Sequence, residues 1–169
     1  MFGFIEKTIK AVFGSKHEKD IKEIMPLVNL TIEEYAKLQS LSNDELRAKT
    51  SDFKARINDY VSEYDNQINS LRKQASETED VEDKDKIYNE VDKLIIEKDK
   101  HLEDILLTIL PEAFAVVKET AKRFTENESL EVSATELDKK LALKLKNIQI
   151  NGDKATYSNR WTPPINCTS

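Results

Sequence analysis

The fold is decided by two stretches, INDYVSEYDNQINSL at Ile57–Leu71 and YNEVDKLIIEKDKHLEDILLTI at Tyr88–Ile109. In both, apolar side chains recur every three or four residues, which places them along one face of an α-helix. Neither glycine nor proline occurs between residues 54 and 109, and the very polar segment ASETEDVEDKDK separates the two stretches. The pattern predicts a long antiparallel helical hairpin over residues 54–109.

Shorter helices are predicted before the hairpin. Residues 2–13 have apolar side chains at helical spacing with lysines between them, and Gly14-Ser15 ends this amphipathic helix. A charged helix follows over residues 16–25, and Pro26 is expected to interrupt or kink it before a further helix over residues 30–39. Ser42 and Glu45 have the spacing of a capping box, which predicts a helix start.

After the hairpin the pattern changes. The stretch ILPEAFAVVKETAKRF at Ile109–Phe124 predicts a separate helix with Pro111 in its first turn. SLEVSAT at residues 129–135 alternates like a strand, and Asn151-Gly152 predicts the turn of a β-hairpin near residues 146–159. The predicted fold is therefore mainly α, with N-terminal helices, the helical hairpin and a small β-hairpin near the C-terminus.

Composition excludes several classes of partner. The chain has 169 residues, a net charge of -6 and a pI near 5.1, so nucleic acid is not an expected partner. Cys167 is the only cysteine, which allows no disulfide within one chain and fits a reducing compartment. No apolar run approaches the roughly 20 residues of a membrane-spanning helix, and no secretory signal is evident. We therefore expect a cytoplasmic protein.

The residues that usually form catalytic or ligand sites are missing or isolated. The three glycines lie at positions 3, 14 and 152, so no glycine-rich phosphate loop can be present. His17 and His101 are too isolated to suggest zinc, and the acidic segment around Glu77–Glu82 lacks the glycine turn of a calcium loop. No nucleophile with a nearby base stands out, so we assign no catalytic, cofactor-binding or metal-binding residue.

Three blocks resemble the N-terminal region of SecA, the ATP-driven motor of bacterial preprotein translocation. They are FGSK at Phe13–Lys16, LSNDELRAKT at Leu41–Thr50 and LPEAFAVVKETAKR at Leu110–Arg123, in the order found in the family. The hairpin and the segment from Ser129 to Trp161 resemble insertions of SecA proteins of the Bacteroidetes type. The resemblance covers residues 1 to about 161.

This resemblance implies five segments. Residues 1–53 would be N-terminal translocase helices, 54–109 a helical hairpin insertion and 110–128 the start of the first nucleotide-binding domain. Residues 129–161 would be a β-hairpin insertion, and 162–169 an irregular tail. In the longer family members the LPEAF helix belongs to an α/β DEAD-like motor domain, which binds ATP and Mg²⁺. The Walker A and DEAD motifs are not found in this chain, so we expect a truncated N-terminal piece that is inactive alone.

The resemblance also implies contacts at the N-terminus. In SecA proteins this region is associated with acidic phospholipid and the SecYEG channel, and the whole motor acts on preproteins. An apolar face beside lysines suits an interfacial helix at the inner face of the plasma membrane. The predicted contact residues are Phe2, Phe4, Ile5, Lys7, Ile9, Lys10 and Phe13.

An alternative reading of the same residues is a non-enzymatic binding module that holds a partner with the helical hairpin. Such a module would fold cooperatively on its own, whereas part of a larger motor would expose apolar surface. The apolar LPEAF helix, with few remaining elements to cover it, favours the motor.

Overall fold

A computed structural model describes residues 16–160. The elements run α1 Lys16–Leu38, α2 Asn43–Glu77, α3 Val81–Glu126, β1 Ser129–Ser133, α4 Glu136–Ala142, β2 Ile148–Asn151 and β3 Lys154–Ser158. The predicted mainly helical fold, with a long hairpin and a small β-hairpin near the C-terminus, is confirmed. The predicted helix at residues 2–13 and the irregular tail at 162–169 lie outside the described residues.

The helices α2 and α3 form the antiparallel hairpin. Their ion pairs show the antiparallel direction: Arg56 of α2 pairs with Glu112 of α3, and Asp65, later in α2, pairs with Lys98, earlier in α3. The predicted capping box is present, because Ser42 Oγ accepts from the Glu45 backbone and Glu45 accepts from the Ser42 backbone. The seam between the helices buries a row of apolar side chains, Val61, Ile68, Ala75, Val91 and Ile109.

The prediction of a separate LPEAF helix is wrong, because α3 continues without a break to Glu126 and contains Pro111 in its interior. A proline there has no N–H to donate to the carbonyl four residues earlier, which usually favours a helix end. Pro111 and Ala115 are both buried. Their burial in the core offsets the lost helical hydrogen bond, so tertiary packing overrides the local signal.

The expected interruption at Pro26 is also absent, since α1 is a single helix from Lys16 to Leu38. Its C-terminal half packs on α3: Leu38 clusters with Leu46 and Ala115, and Lys118 Nζ lies 4.4 Å from the centroid of the Tyr35 ring. Arg123, near the end of α3, donates to the Leu38 carbonyl. The C-terminal end of α1 therefore lies near the C-terminal end of α3, and the two helices are parallel.

The three strands form one antiparallel sheet in the order β1-β3-β2. Asn151 pairs with Lys154, so the two central residues of the turn are Gly152 and Asp153 rather than the predicted Asn151 and Gly152. Among the described residues only Gly152 has a positive φ, at 61°. One glycine at the first central position is the pattern of a type II′ turn, whereas an Asn-Gly turn would need two positive φ angles.

The short helix α4 was not predicted. It begins with a capping box in which the Thr135 side chain accepts from the Asp138 backbone and the Asp138 side chain accepts from the Thr135 backbone. The sequence signal is the spacing Thr-x-x-Asp, with aspartate in place of the usual glutamate. Lys139 and Lys140 in this helix are exposed.

Candidate interaction surfaces

The predicted membrane-contact residues, from Phe2 to Phe13, all lie outside the described residues. The described residues instead show how the base of the hairpin is held to the sheet, and which apolar faces remain open. Two groups of polar contacts and two apolar faces are of interest.

The first group surrounds Asp138, whose side chain is completely buried. Arg47 Nη1 donates to Asp138 Oδ2 at 2.9 Å and Arg47 Nη2 to Asp138 Oδ1 at 2.7 Å. The Thr135 backbone N–H donates at 2.7 Å, and the Tyr157 hydroxyl also donates to this carboxylate. These contacts join α2, α4 and β3 at one point.

This environment shifts two pKa values. Hydrogen bonding from Arg47 holds the pKa of Asp138 well below its usual range, although burial opposes the effect. Burial and the hydrogen bond to Asp138 raise the pKa of Tyr157 to about 12. The carboxylate therefore stays charged and the phenol stays protonated at neutral pH, which suits a fixed structural contact rather than proton transfer.

The first turn of α2 also covers the outer edge of β1. Asp44 accepts from the backbone N–H and from the hydroxyl of Ser133, both at 2.8 Å. These bonds lower the pKa of Asp44. Asn43 Nδ2 donates to the Glu131 carbonyl at 3.1 Å. The edge of the sheet is thereby paired with side chains of the LSNDELRAKT block.

The second group lies on α3, within the LPEAF block. Glu112 accepts from Lys49 Nζ at 2.9 Å and from Arg56 Nη1 at 2.6 Å. Burial acts to raise the pKa of Glu112, but these two hydrogen bonds outweigh it and the pKa is lowered. Arg123 Nε donates to Glu119 Oε1 at 2.8 Å, and another of its nitrogens donates to the Leu41 carbonyl at 2.7 Å. These contacts fix α1 and α2 on α3.

Each carboxylate in these two groups accepts a hydrogen bond from an arginine or a lysine. The second oxygen of Glu119, Oε2, is buried without a hydrogen-bond partner among the described residues. Within residues 16–160 no group of three His, Cys, Asp or Glu side chains could hold a metal ion. His17 is exposed, whereas His101 is partly buried and contacts the rings of Tyr60 and Tyr64.

An apolar cavity of about 280 Å³ lies between α2, α3 and the sheet. Its lining includes Leu46, Val116, Phe124, Leu130, Val132 and Tyr157. Arg47 also contributes to the lining, and its contact with Asp138 joins α2 to α4 beside the cavity.

Two sets of large apolar side chains, one on α1 and one on α3, are exposed. The α1 stripe consists of Ile21, Ile24, Met25, Val28 and Ile32, which are 38–56% exposed. The α3 face consists of Leu107, Phe114 and Val117, which are 64%, 52% and 65% exposed. In each set the spacing of three, four or seven residues places the side chains on one side of the helix. Contiguous apolar surface of this kind marks an interaction site.

The described helices are not long and apolar enough to cross a membrane.

A family model described as SecA DEAD-like domain matches residues 9–135 of the chain. The chain belongs to the SecA family. The match contains all three blocks that indicated the resemblance, together with the helical hairpin between the second and third.

Relatives named Protein translocase subunit SecA support the same assignment. Those from Christiangramia forsetii and Parabacteroides distasonis are each 43% identical, over 158 and 159 residues, and each alignment covers 94% of this chain. The relative from Porphyromonas gingivalis strain W83 is 39% identical over 150 residues, or 89% of this chain. The resemblance to SecA proteins of the Bacteroidetes type is confirmed. No solved structure matches the chain.

The chain spans about 14% of the length of these relatives. Most of the SecA polypeptide therefore has no counterpart among the 169 residues.

The sequence does not predict contacts such as Arg47–Asp138, because their partners are 91 residues apart and no local pattern links them.

Proposed function

We propose that this chain acts as the N-terminal part of a SecA-type protein translocase, the motor that drives preproteins through the SecYEG channel. The observation that carries this proposal is the 43% identity to relatives named Protein translocase subunit SecA over 94% of the chain. In this proposal the chain supplies the frame of the first nucleotide-binding domain.

The α3 face supports this role. Phe114 and Val117 belong to the LPEAF block, yet more than half of each side chain is exposed. Burying a large apolar side chain contributes roughly 1.5–3 kcal/mol, so a motor domain would gain stability by covering this face. The remaining 86% or so of a SecA polypeptide supplies ample surface for that purpose.

ATP and Mg²⁺ would be handled by the phosphate loop and acidic motif of the longer motor, not by these 169 residues. We expect titration calorimetry of the purified chain with Mg²⁺-ATP to show no binding, and a phosphate-release assay to show no turnover. Saturable binding of one ATP per chain would contradict this part of the proposal.

The N-terminal segment would contact the acidic phospholipid surface and the translocon at the cytoplasmic face of the membrane. The proposed contact residues are those predicted above, Phe2, Phe4, Ile5, Lys7, Ile9, Lys10 and Phe13. Their apolar face beside lysines suits an anionic interface. The five-segment division of the chain, with a hairpin insertion at 54–109 and a second insertion at 129–161, is part of the same proposal.

Flotation of the whole chain with phosphatidylglycerol vesicles tests the membrane contact. We expect the chain to float with the vesicles, and Ile9→Asp to abolish flotation because it places a charge on the apolar face. Ser15→Asp, which adds the same charge after the end of the predicted helix and outside the proposed contact residues, is the matched control and should float. Equal behaviour of the two variants would contradict the assignment of the contact face.

A further inference from the structure

The end of α4 and the turn that follows it carry both basic and apolar side chains on the surface. Residues 139–146 read KKLALKLK and contain four lysines and no acidic residue, although the whole chain has a net charge of -6. Two of the leucines, Leu143 and Leu145, are 88% and 44% exposed. No other large apolar side chain among the described residues is as exposed as Leu143. Residues 139–146 are called the α4 patch below.

We propose that the α4 patch binds an anionic lipid surface, with its exposed leucines in the interface and its lysines at the level of the lipid phosphates. This contact is separate from the N-terminal contact proposed above and does not depend on it. All the residues that form it lie in the part of the chain that the structure describes.

The packing of α4 turns the α4 patch away from the rest of the protein. The Asp138 side chain is completely buried, and its ion pair with Arg47 holds that side of α4 inward. Successive residues of a helix are about 100° apart, so Lys140 and Leu143 lie on the side of α4 opposite Asp138. Leu143, at the C-cap, keeps a helical backbone with φ -68° and ψ -21°. The basic and apolar side chains therefore face solvent together.

Most of the positive charge of the α4 patch is not cancelled by the described residues. Lys139 pairs with Glu136 at 2.7 Å. The other three lysines, at positions 140, 144 and 146, are exposed and form no ion pair within residues 16–160. One lysine near an anionic lipid surface strengthens binding about fivefold. Three such lysines beside one another favour an acidic partner.

The exposed leucines distinguish a lipid surface from other acidic partners. An acidic polypeptide or a nucleic acid would engage the lysines and leave Leu143 in water. A lipid interface accepts both kinds of side chain, because leucine enters the acyl boundary while the lysine ammonium group stays among the headgroups. The alternation of leucine and lysine over residues 143–146 therefore fits an anionic lipid surface best.

The α4 patch is small, so its contact with lipid is weak and reversible when it acts alone. Stable attachment to a membrane takes two signals. The α4 patch therefore holds the protein at a membrane only together with a second contact, such as the N-terminal one. Flotation requires stable attachment and does not detect the α4 patch by itself, whereas a measurement at equilibrium does.

An environment-sensitive dye at position 143 tests the contact at equilibrium. In the whole 169-residue chain, Cys167→Ser removes the native cysteine, Ile9→Asp removes the proposed N-terminal contact, and Leu143→Cys carries a nitrobenzoxadiazole dye. We expect phosphatidylglycerol vesicles at low salt to raise the dye fluorescence and shift it to shorter wavelength, and added salt to reverse the change. Phosphatidylcholine vesicles should have no effect. The same dye on Asn66→Cys, an exposed position on α2, is the control and should not respond.

A charge exchange in the same labelled protein tests the lysines. Lys144→Glu changes the charge by two units and should weaken lipid binding about 25-fold, at about fivefold for each unit. Lys100→Glu makes the same exchange at an exposed position of α3. It lies about 35 Å along the helix from Arg123 at the base of the hairpin, which is beyond the range of screened charges. Lys100→Glu should therefore leave lipid binding almost unchanged.

Three results would overturn the lipid contact. The first is an unchanged spectrum at position 143 with phosphatidylglycerol vesicles at low salt, whether or not the parent chain floats through its N-terminal segment. The second is equal lipid binding by the Lys144→Glu and Lys100→Glu variants, which would show that the dye alone drives binding. The third is a response to polyglutamate as large as the response to vesicles, which would assign the α4 patch to an acidic polypeptide.

Discussion

At the scale of single residues, Asp138 decides how the sheet is attached to the helices. Its carboxylate is buried and accepts hydrogen bonds from Arg47, Thr135 and Tyr157, which come from α2, from the residue before α4 and from β3. Removing one partner of a buried ion pair leaves an uncompensated charge, and this is usually more costly than losing an exposed pair.

Arg47→Ala should therefore lower the free energy of unfolding by about 3 kcal/mol, the low end for a buried pair, because the Arg47 side chain is 33% exposed. Urea denaturation followed by circular dichroism measures the change. Lys139→Ala is the control: it removes the exposed pair with Glu136 and should cost about 0.5 kcal/mol or less. Equal effects of the two substitutions would show that the Arg47–Asp138 contact has no special role.

The same contacts predict how stability depends on pH. The pKa of Tyr157 is raised to about 12 in the folded chain, above the ordinary value of about 10. Between these two values the unfolded phenol has lost its proton and the folded one has kept it, so stability should fall as pH rises through this window. Tyr157→Phe should remove this alkaline loss, as measured by urea midpoints across the window. A loss of the same size in that variant would point to other groups.

Acid should weaken the same region. Because the folded pKa of Asp138 is lowered, its contribution to stability is present above the unfolded pKa and is lost as pH falls below it, from about pH 4 downwards. Asp44 shifts in the same direction and should add to the loss.

At the scale of elements, periodicity predicted the helical hairpin, and the Ser42 capping box predicted the start of α2. Periodicity did not predict where the helices end. Pro111 and Pro26 both indicated breaks, yet α3 and α1 continue through them. Burial of Pro111 explains the first case, since packing in the core outweighs one missing hydrogen bond. Pro26 is exposed, so its place inside α1 should reduce the stability of that helix.

Pro26→Ala should therefore raise the helical content and the free energy of unfolding, by about 1–3 kcal/mol, because proline costs about 3 kcal/mol relative to alanine in a helix interior. Far-ultraviolet circular dichroism and urea denaturation measure both quantities. Asn29→Ala, an exposed change one turn later, should gain at most about 0.7 kcal/mol. A Pro26→Ala variant that is no more stable than the parent chain would mean that α1 is not one continuous helix.

The sheet illustrates a second limit of sequence reasoning. The alternation at residues 129–135 and the glycine at position 152 predicted strands and a turn. The pairing of β1 with β3 and the attachment of α4 to α2 join residues far apart in the chain, such as Ser129 with Ser158 and Arg47 with Asp138. A single sequence carries no local signal for such contacts.

At the scale of the whole molecule, the open apolar surface is the main feature. The chain folds into a hairpin with an attached sheet, but the α3 face is left without a partner among the described residues. The sequence predicted this imbalance, because the LPEAF helix has more apolar side chains than the remaining elements could cover. The family match supplies the explanation that we propose: the rest of a SecA motor covers the α3 face.

A chimeric translocase tests this central claim most directly. Residues 1–160 of this chain would replace the matching N-terminal region of the Parabacteroides distasonis relative, and preprotein-stimulated ATP hydrolysis and preprotein import into inverted membrane vesicles would be measured. Phe114→Asp in the same chimera places a charge on the α3 face, and Lys122→Asp, an exposed change on α3, is its control.

We expect the chimera and its Lys122→Asp variant to translocate preprotein, and the Phe114→Asp variant to lose most of its activity because a buried unpaired charge disrupts the covered face. A chimera that has normal helical content but neither hydrolyses ATP nor moves preprotein would contradict the account. The helical hairpin would then be better explained as a binding module for another partner.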